Sequence, residues 1–290
     1  MTKLNFRHIN SVMDDYDVFL FDLWGVVVEG NKNYAGVVNN INNVINSQKK
    51  VFFVTNAPRN AKSLFTKIQS WGINVKLEMI ISSGEIALDM IASSDEKFGI
   101  KNPLVYHLGF ENNDLMEGVQ TPITHNINEA NILLLTLHFD ENRSLNLNKF
   151  DDLFKLAIKR NITNICANPD LGIMQQGVQT YCAGYFADKI KQFGGEVFYA
   201  GKPHLEIYQK VLNQVLGIPK KRVLMIGDTF YTDILGANKM GIDSALVLTG
   251  NSTQFHQQYN TLTEKLEHLK IAATKQEVMP NFVIQLTEND

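Results

Sequence analysis

The chain has 290 residues, 44% of them apolar and 20% charged, and a formal charge of −3. This is the composition of an ordinary globular protein, long enough for one large core or two moderate ones. It excludes a protein that holds nucleic acid by its overall charge, and no apolar run approaches the roughly 18 residues of a membrane span.

The opening residues, MTKLNFRHINSVMDDYD, lack the apolar stretch of a signal peptide, so a cytoplasmic protein is expected. Cys166 and Cys182 have neither CxxC spacing nor a metal pattern with histidine, and read as reduced, buried thiols. Along the chain, short apolar runs predict strands at 18–21, 51–54, 79–81, 104–107, 132–135, 164–167, 197–199, 223–226 and 244–248. Between many of them lie helical patterns such as FDDLFKLAIKRN and YQKVLNQVLG. Continuous apolar strands joined by helices imply parallel sheets covered on both faces, hence an α/β protein. After Gly250 the sequence predicts one helix, TEKLEHLKIAA, then either a closing strand at 282–286 or a loose end.

Four of the strands end in polar residues. Phe21 runs into DLWG, Val54 into TNAPRN, Tyr199 into AGKPH and Ile226 into GDTFYTD. Open α/β sheets bind ligands at the carboxyl ends of their strands, so the four ends are candidates for one crevice. Asp22 offers a nucleophile, Thr55 and Asn56 offer donors to an anion, and Lys202 offers a fixed positive charge. Asp228 and Asp233 offer the hard oxygen ligands that Mg²⁺ prefers. Three carboxylates near one lysine repel one another unless a cation sits among them, and such a site suits phosphoryl transfer. Residues 84–185 have their own alternation of strands and helices with few charged ends. The expected organisation is therefore a core of 1–83 and 186–290 with an inserted domain at 84–185.

DLWGV, TNAPR, GKP and GDTFYTD, in this order, resemble the four motifs of the haloacid dehalogenase (HAD) superfamily. CANPDLGI and the stretch from CAGYFADK to MIGDTFYTDILGANKMGID are similar to its NagD-like subgroup, subclass IIA. The resemblance spans nearly the whole chain. It implies a Rossmann-like core carrying an α/β cap of the C2 type, and a Mg²⁺-dependent phosphatase. Asp22 would form an aspartyl-phosphate, with Thr55 and Lys202 holding the phosphoryl oxygens. Gly25 and Asn56 would join them in binding phosphate, and Asn168 and Asp170 of the cap would face the leaving group. Asp22, Asp228, Asp233 and the main-chain carbonyl of Trp24 would surround the metal. The partner implied is a small phosphate ester, with no nucleic acid or membrane, and a homodimer through the cap is a further expectation. Each feature also has a plain reading: Asp22 as a cap, Lys202 as a turn lysine, NPD as a turn, and Trp24 as a space-filling ring.

One position departs from the pattern. The superfamily's second aspartate, which protonates the leaving oxygen and then activates water, is here Trp24. Indole N–H only donates hydrogen bonds and cannot shuttle a proton. A positioned acid–base group is worth about 10²–10⁴-fold, so turnover should suffer most on poor leaving groups such as sugar alkoxides and least on aryl or acyl phosphates. His107 and His204 are the candidates for another proton source. A phosphate- and metal-binding sensor with little turnover, or a phosphotransferase, are the alternatives to a phosphatase. The substrate itself is not legible.

Overall fold

The computed structural model describes residues 4–110, 113–140, 147–175 and 178–287. The chain divides into two compact units. One comprises the residues up to Thr55, Leu64–Ile81, and those from Tyr208 onwards; the other comprises Asn56–Ser63 and Ser82–Ile207.

The first unit is built on a seven-stranded sheet in the order Phe6–His8, Phe282–Gln285, Asp243–Leu246, Val223–Gly227, Val18–Phe21, Lys50–Thr55, Ile80–Ser82. Neighbours from the first strand through Lys50–Thr55 pair in parallel. Every residue of Val18–Phe21 and of Val223–Gly227 is buried, as expected of central strands covered on both faces. Their register, Phe21 opposite Ile226 and Phe53, brings three strand ends level with one another. The tail folds back as a closing helix and strand. Thr261 and Glu264 form a reciprocal capping box at the start of the helix Leu262–Lys275. Phe282–Gln285 then inserts between Phe6–His8 and Asp243–Leu246.

The second unit has a five-stranded parallel sheet, ordered Val197–Tyr199, Thr163–Cys166, Ile132–Leu135, Val105–Leu108, Ile123–Thr124. Leu133, Leu135, Phe154, Phe186 and Ile190 form the centre of its core. A three-stranded antiparallel sheet, His138–Asp140, Val178–Cys182, Gly172–Gln175, completes it. Position 185, the expected end of the inserted domain, falls inside the helix Ala183–Gln192. Beyond that helix, Val197–Tyr199 pairs with Thr163–Cys166, so this unit continues to Ile207.

Candidate active site

Asp22 directly follows the buried strand Val18–Phe21, and its N–H donates to the Ile226 carbonyl of the neighbouring strand at 3.0 Å. The ladder therefore holds the backbone of Asp22 while its side chain is partly open to solvent. Immediately afterwards the chain coils tightly: the Leu23 carbonyl accepts from the N–H groups of Val27 at 2.8 Å and Val28 at 3.2 Å. On the other side of the same strand, Thr55 closes Lys50–Thr55 and is buried.

Asp228 and Asp233 come from the end of Val223–Gly227. Asp228 is the first residue past the strand, and Asp233 sits in a single wide helical turn, Phe230–Ile234, that precedes the helix Leu235–Met240. Wide turns of this kind re-aim side chains and recur at functional sites. The two carboxyl groups are linked through Thr229: its hydroxyl donates to Asp228 Oδ1 at 3.1 Å and its N–H to Asp233 Oδ2 at 3.2 Å. Ligand atoms of Asp22, Asp228 and Asp233 all lie within 4.8 Å of one another.

Two glycines leave the space this requires. Gly25, at φ +84°, and Gly250, at φ +54°, both adopt left-handed backbone, and a Cβ on either would collide with the Asp228 carboxylate. Gly250 belongs to a loop whose role was not read from the sequence. Thr249 Oγ1 donates to the Gly25 carbonyl at 2.6 Å, Gly250 N–H donates to the Tyr34 hydroxyl at 3.1 Å, and Ser252 Oγ donates to the Asp228 carbonyl at 2.7 Å. Asn251 grips Asp228 Oδ2 twice, from its N–H at 2.6 Å and from Nδ2 at 2.8 Å. A TGNS stretch after a strand carries no signal by itself; only the fold brings it onto the fourth motif. Partners that orient a carboxylate ligand typically change metal affinity by about 10–100-fold. If this carboxylate cluster holds a divalent cation, Asn251→Ala is therefore expected to weaken its binding on that scale, read by calorimetric titration with Mg²⁺ as the probe.

Thr229 and Asn251, which donate to Asp228 and Asp233, are neutral groups and do not cancel the carboxylate charge. Asp228 is 1% and Asp233 0% exposed, and two buried carboxylates this close to each other and to Asp22 repel strongly. The all-oxygen donor set and the glycine-lined cradle fit a hard divalent cation. Below the cluster, burial raises the Tyr208 hydroxyl well above its ordinary pKa, and the charges of Asp233 and Asp22 push it further. Tyr208 thus stays neutral, donating to the Asp233 carbonyl at 3.2 Å. Trp24, two residues beyond Asp22, is partly buried and packs on Trp71.

Asn56, Asp170 and Lys202 meet in the second unit. Asn56 Nδ2 donates to Asp170 Oδ1 at 2.8 Å and to the Lys202 carbonyl at 3.0 Å, and Lys202 N–H returns a bond to Asn56 Oδ1 at 2.7 Å. Lys202 is 1% exposed. Asn168 Oδ1 accepts from Asp170 N–H at 3.0 Å, the hydrogen bond of an Asx turn. Both cysteines are buried and free, and burial raises each thiol far above its ordinary pKa, so neither is a nucleophile at neutral pH.

His204 stacks on Tyr199 with ring centroids 4.7 Å apart. His107 Nε2 shares a 2.7 Å hydrogen bond with Thr136 Oγ1, and burial lowers its pKa from 6.5 to about 4. A neutral imidazole has no acidic proton to give at pH 7. Because folding depresses this pKa, its stabilising contribution is complete above 6.5 and disappears as pH falls from there towards 4. Thermal melts at pH 7 and pH 5 should accordingly show a smaller acid-induced drop for His107→Gln than for the wild type.

The family model for haloacid dehalogenase-like hydrolases matches residues 19–117, and a HAD-hydrolase-like model matches residues 199–280. The acid sugar phosphatase of Staphylococcus haemolyticus is 27% identical over 261 residues, 87% of this chain and 91% of that protein. Among solved structures, a haloacid dehalogenase-like hydrolase from Brucella suis is 27% identical with a TM-score of 0.74, covering 85% of this chain and 94% of that one. A "possible sugar phosphatase, HAD superfamily" from Cytophaga hutchinsonii is 26% identical with a TM-score of 0.76, covering 97% and 98%.

Proposed function

This chain belongs to the haloacid dehalogenase-like hydrolases, and we propose that it hydrolyses a small phosphate monoester through a phosphoryl group carried on Asp22. The observation that carries the reading is the group of Asp22, Asp228 and Asp233, with ligand atoms within 4.8 Å, at the ends of two adjacent parallel strands. The sugar phosphatases among its relatives support the reaction class.

Asp22, Asp228, Asp233 and the Trp24 carbonyl would hold the cation, Mg²⁺ by the hardness of the donors. When bound it would balance the carboxylates and the charge on the phosphoryl group. An Asp22 oxygen attacks phosphorus as the bond to the leaving oxygen breaks, and water then hydrolyses the aspartyl-phosphate. Thr55, Asn56 and Lys202, with the Gly25 backbone, hold phosphoryl oxygens in this proposal, and Asn168 and Asp170 contribute on the leaving-group side. Trp24 leaves the reaction without the usual proton carrier, so good leaving groups are favoured. The same residue favours the second reading, a protein that binds phosphate and metal with little turnover. Phosphate release from an aryl and a sugar phosphate with Mg²⁺, by wild type and Asp22→Asn side by side, separates the two. Release that depends on Asp22 supports the phosphatase, and its absence with phosphate and Mg²⁺ still bound supports the binding protein.

A further inference from the structure

Trp24 and Trp71 meet edge to face, their ring centroids 6.4 Å apart at 85°. Lys67, on the helix Ala61–Ser70, lays its ammonium over both rings, 5.2 Å from the Trp24 centroid and 5.9 Å from that of Trp71. All three side chains are partly exposed. Indole faces attract a cation and hold its flexible stem in one place. Trp24 and Asp22 are separated only by the buried Leu23. An aspartate at position 24 would carry its carboxyl at the root of the indole whose ring centroid lies 5.2 Å from this ammonium. A negative, proton-donating group is thus replaced by an aromatic platform bearing a positive one.

We propose that Lys67, positioned by Trp24 and Trp71, stabilises by charge the oxygen that departs from phosphorus, and that the site takes phosphates whose leaving group departs as an anion, acyl phosphates foremost. The proposal rests on the reading of Asp22 as the nucleophile. In the step, an Asp22 oxygen bonds to phosphorus and the bond from phosphorus to the acyl oxygen breaks. The electron pair stays on that oxygen, so a carboxylate leaves and no proton moves. Net charge is conserved, one negative charge passing from Asp22 to the departing carboxylate. An ammonium stabilises that charge without surrendering its proton to so weak a base. A sugar alkoxide, by contrast, needs the proton that this site does not carry. Stacking of an aromatic leaving group is disfavoured because Lys67 already lies over both indoles.

The test compares acetyl phosphate, glycerol 3-phosphate and a series of aryl phosphates of graded leaving-group acidity, with Mg²⁺, for wild type, Lys67→Met, Lys67→Arg and Asp22→Asn. Methionine keeps an unbranched stem and a favourable contact with the rings, so the fold should survive. The wild type should prefer acetyl phosphate to glycerol 3-phosphate by about 10²-fold or more, the scale of losing a positioned acid. Lys67→Met should lower kcat/KM by a factor that rises with the basicity of the leaving oxygen, reaching about tenfold for phenyl phosphate. Lys67→Arg should restore most of it, and inhibition by inorganic phosphate should not change. An equal loss across the series, or none, overturns the role of Lys67, and a preference for glycerol 3-phosphate overturns the substrate class. Phosphate release that survives in Asp22→Asn means that the nucleophile reading itself has failed, whatever Lys67 does.

Discussion

Asp22→Asn is expected to abolish phosphate release, by roughly 10⁴-fold or more, the scale on which removing a nucleophile acts. The carboxamide has nearly the shape of the carboxylate, and the N–H of residue 22 keeps its 3.0 Å bond to the Ile226 carbonyl, so the fold should not change. It lacks the anionic oxygen that must bond to phosphorus. It also removes one negative charge from a cluster in which Asp228 and Asp233 are already buried. Two effects then separate cleanly. The protein should become more stable without metal, because repulsion among the three carboxylates falls, and its Mg²⁺ affinity should drop. Melting temperatures with and without Mg²⁺, set beside phosphate release, read both. An Asp22→Asn variant that loses turnover and also loses most of its Mg²⁺-dependent stabilisation has the behaviour expected when the replaced residue is both nucleophile and ligand. One that keeps full activity removes Asp22 from the chemistry.

What the sequence made legible follows from which interactions are local. Runs such as VFLF and VLMIG announce central parallel strands because burial on both faces leaves no polar position in them. Asp22, Asp228 and Asp233 could be named because each lies within a few residues of such a strand's end. Phe6–His8 escaped, since a three-residue edge strand with one exposed position has no periodicity to detect. The antiparallel sheet His138–Asp140, Val178–Cys182, Gly172–Gln175 escaped for the same reason, its strands being short and the pairing of His138–Asp140 with Val178–Cys182 reaching across about forty residues. Asn251 and Lys67 were illegible for a different reason. Asn251 reaches Asp228 from 23 residues away, and Lys67 reaches Trp24 from a separate helix, so neither has a spacing rule. A boundary near 185 is hard to read because a helical pattern looks the same on either side of a unit's edge. Only the pairing of Val197–Tyr199 with Thr163–Cys166 shows to which sheet that stretch belongs.

Trp24→Asp should act in the opposite sense to Asp22→Asn, raising turnover of a sugar or glycerol phosphate. Restoring a positioned acid–base group is worth about 10²–10⁴-fold, and in kcat/KM, which reports the transfer to Asp22 and not the shared hydrolysis that follows, the gain should be far smaller on acetyl phosphate, whose leaving group needs no proton. The surroundings of position 24 place the expected gain at the lower end of that range. An aspartate there would face the ammonium of Lys67, and an adjacent positive charge holds a carboxyl in its deprotonated form, which weakens it as an acid. Adding Lys67→Met should therefore raise the gain on glycerol 3-phosphate, although the same change alone lowers activity on phenyl phosphate. That reversal of sign is the signature of two devices doing one task, charge stabilisation in the natural chain and proton donation in the variant. The cost falls on stability: the edge-to-face contact with Trp71 and the cation–π contact are lost together, about 1–3 kcal/mol at a partly exposed site. A melting temperature lowered by several degrees beside a raised kcat on glycerol 3-phosphate is the expected pair of results. No gain in either background, with Mg²⁺ binding intact, would point instead to a site that holds phosphate and metal without turning them over.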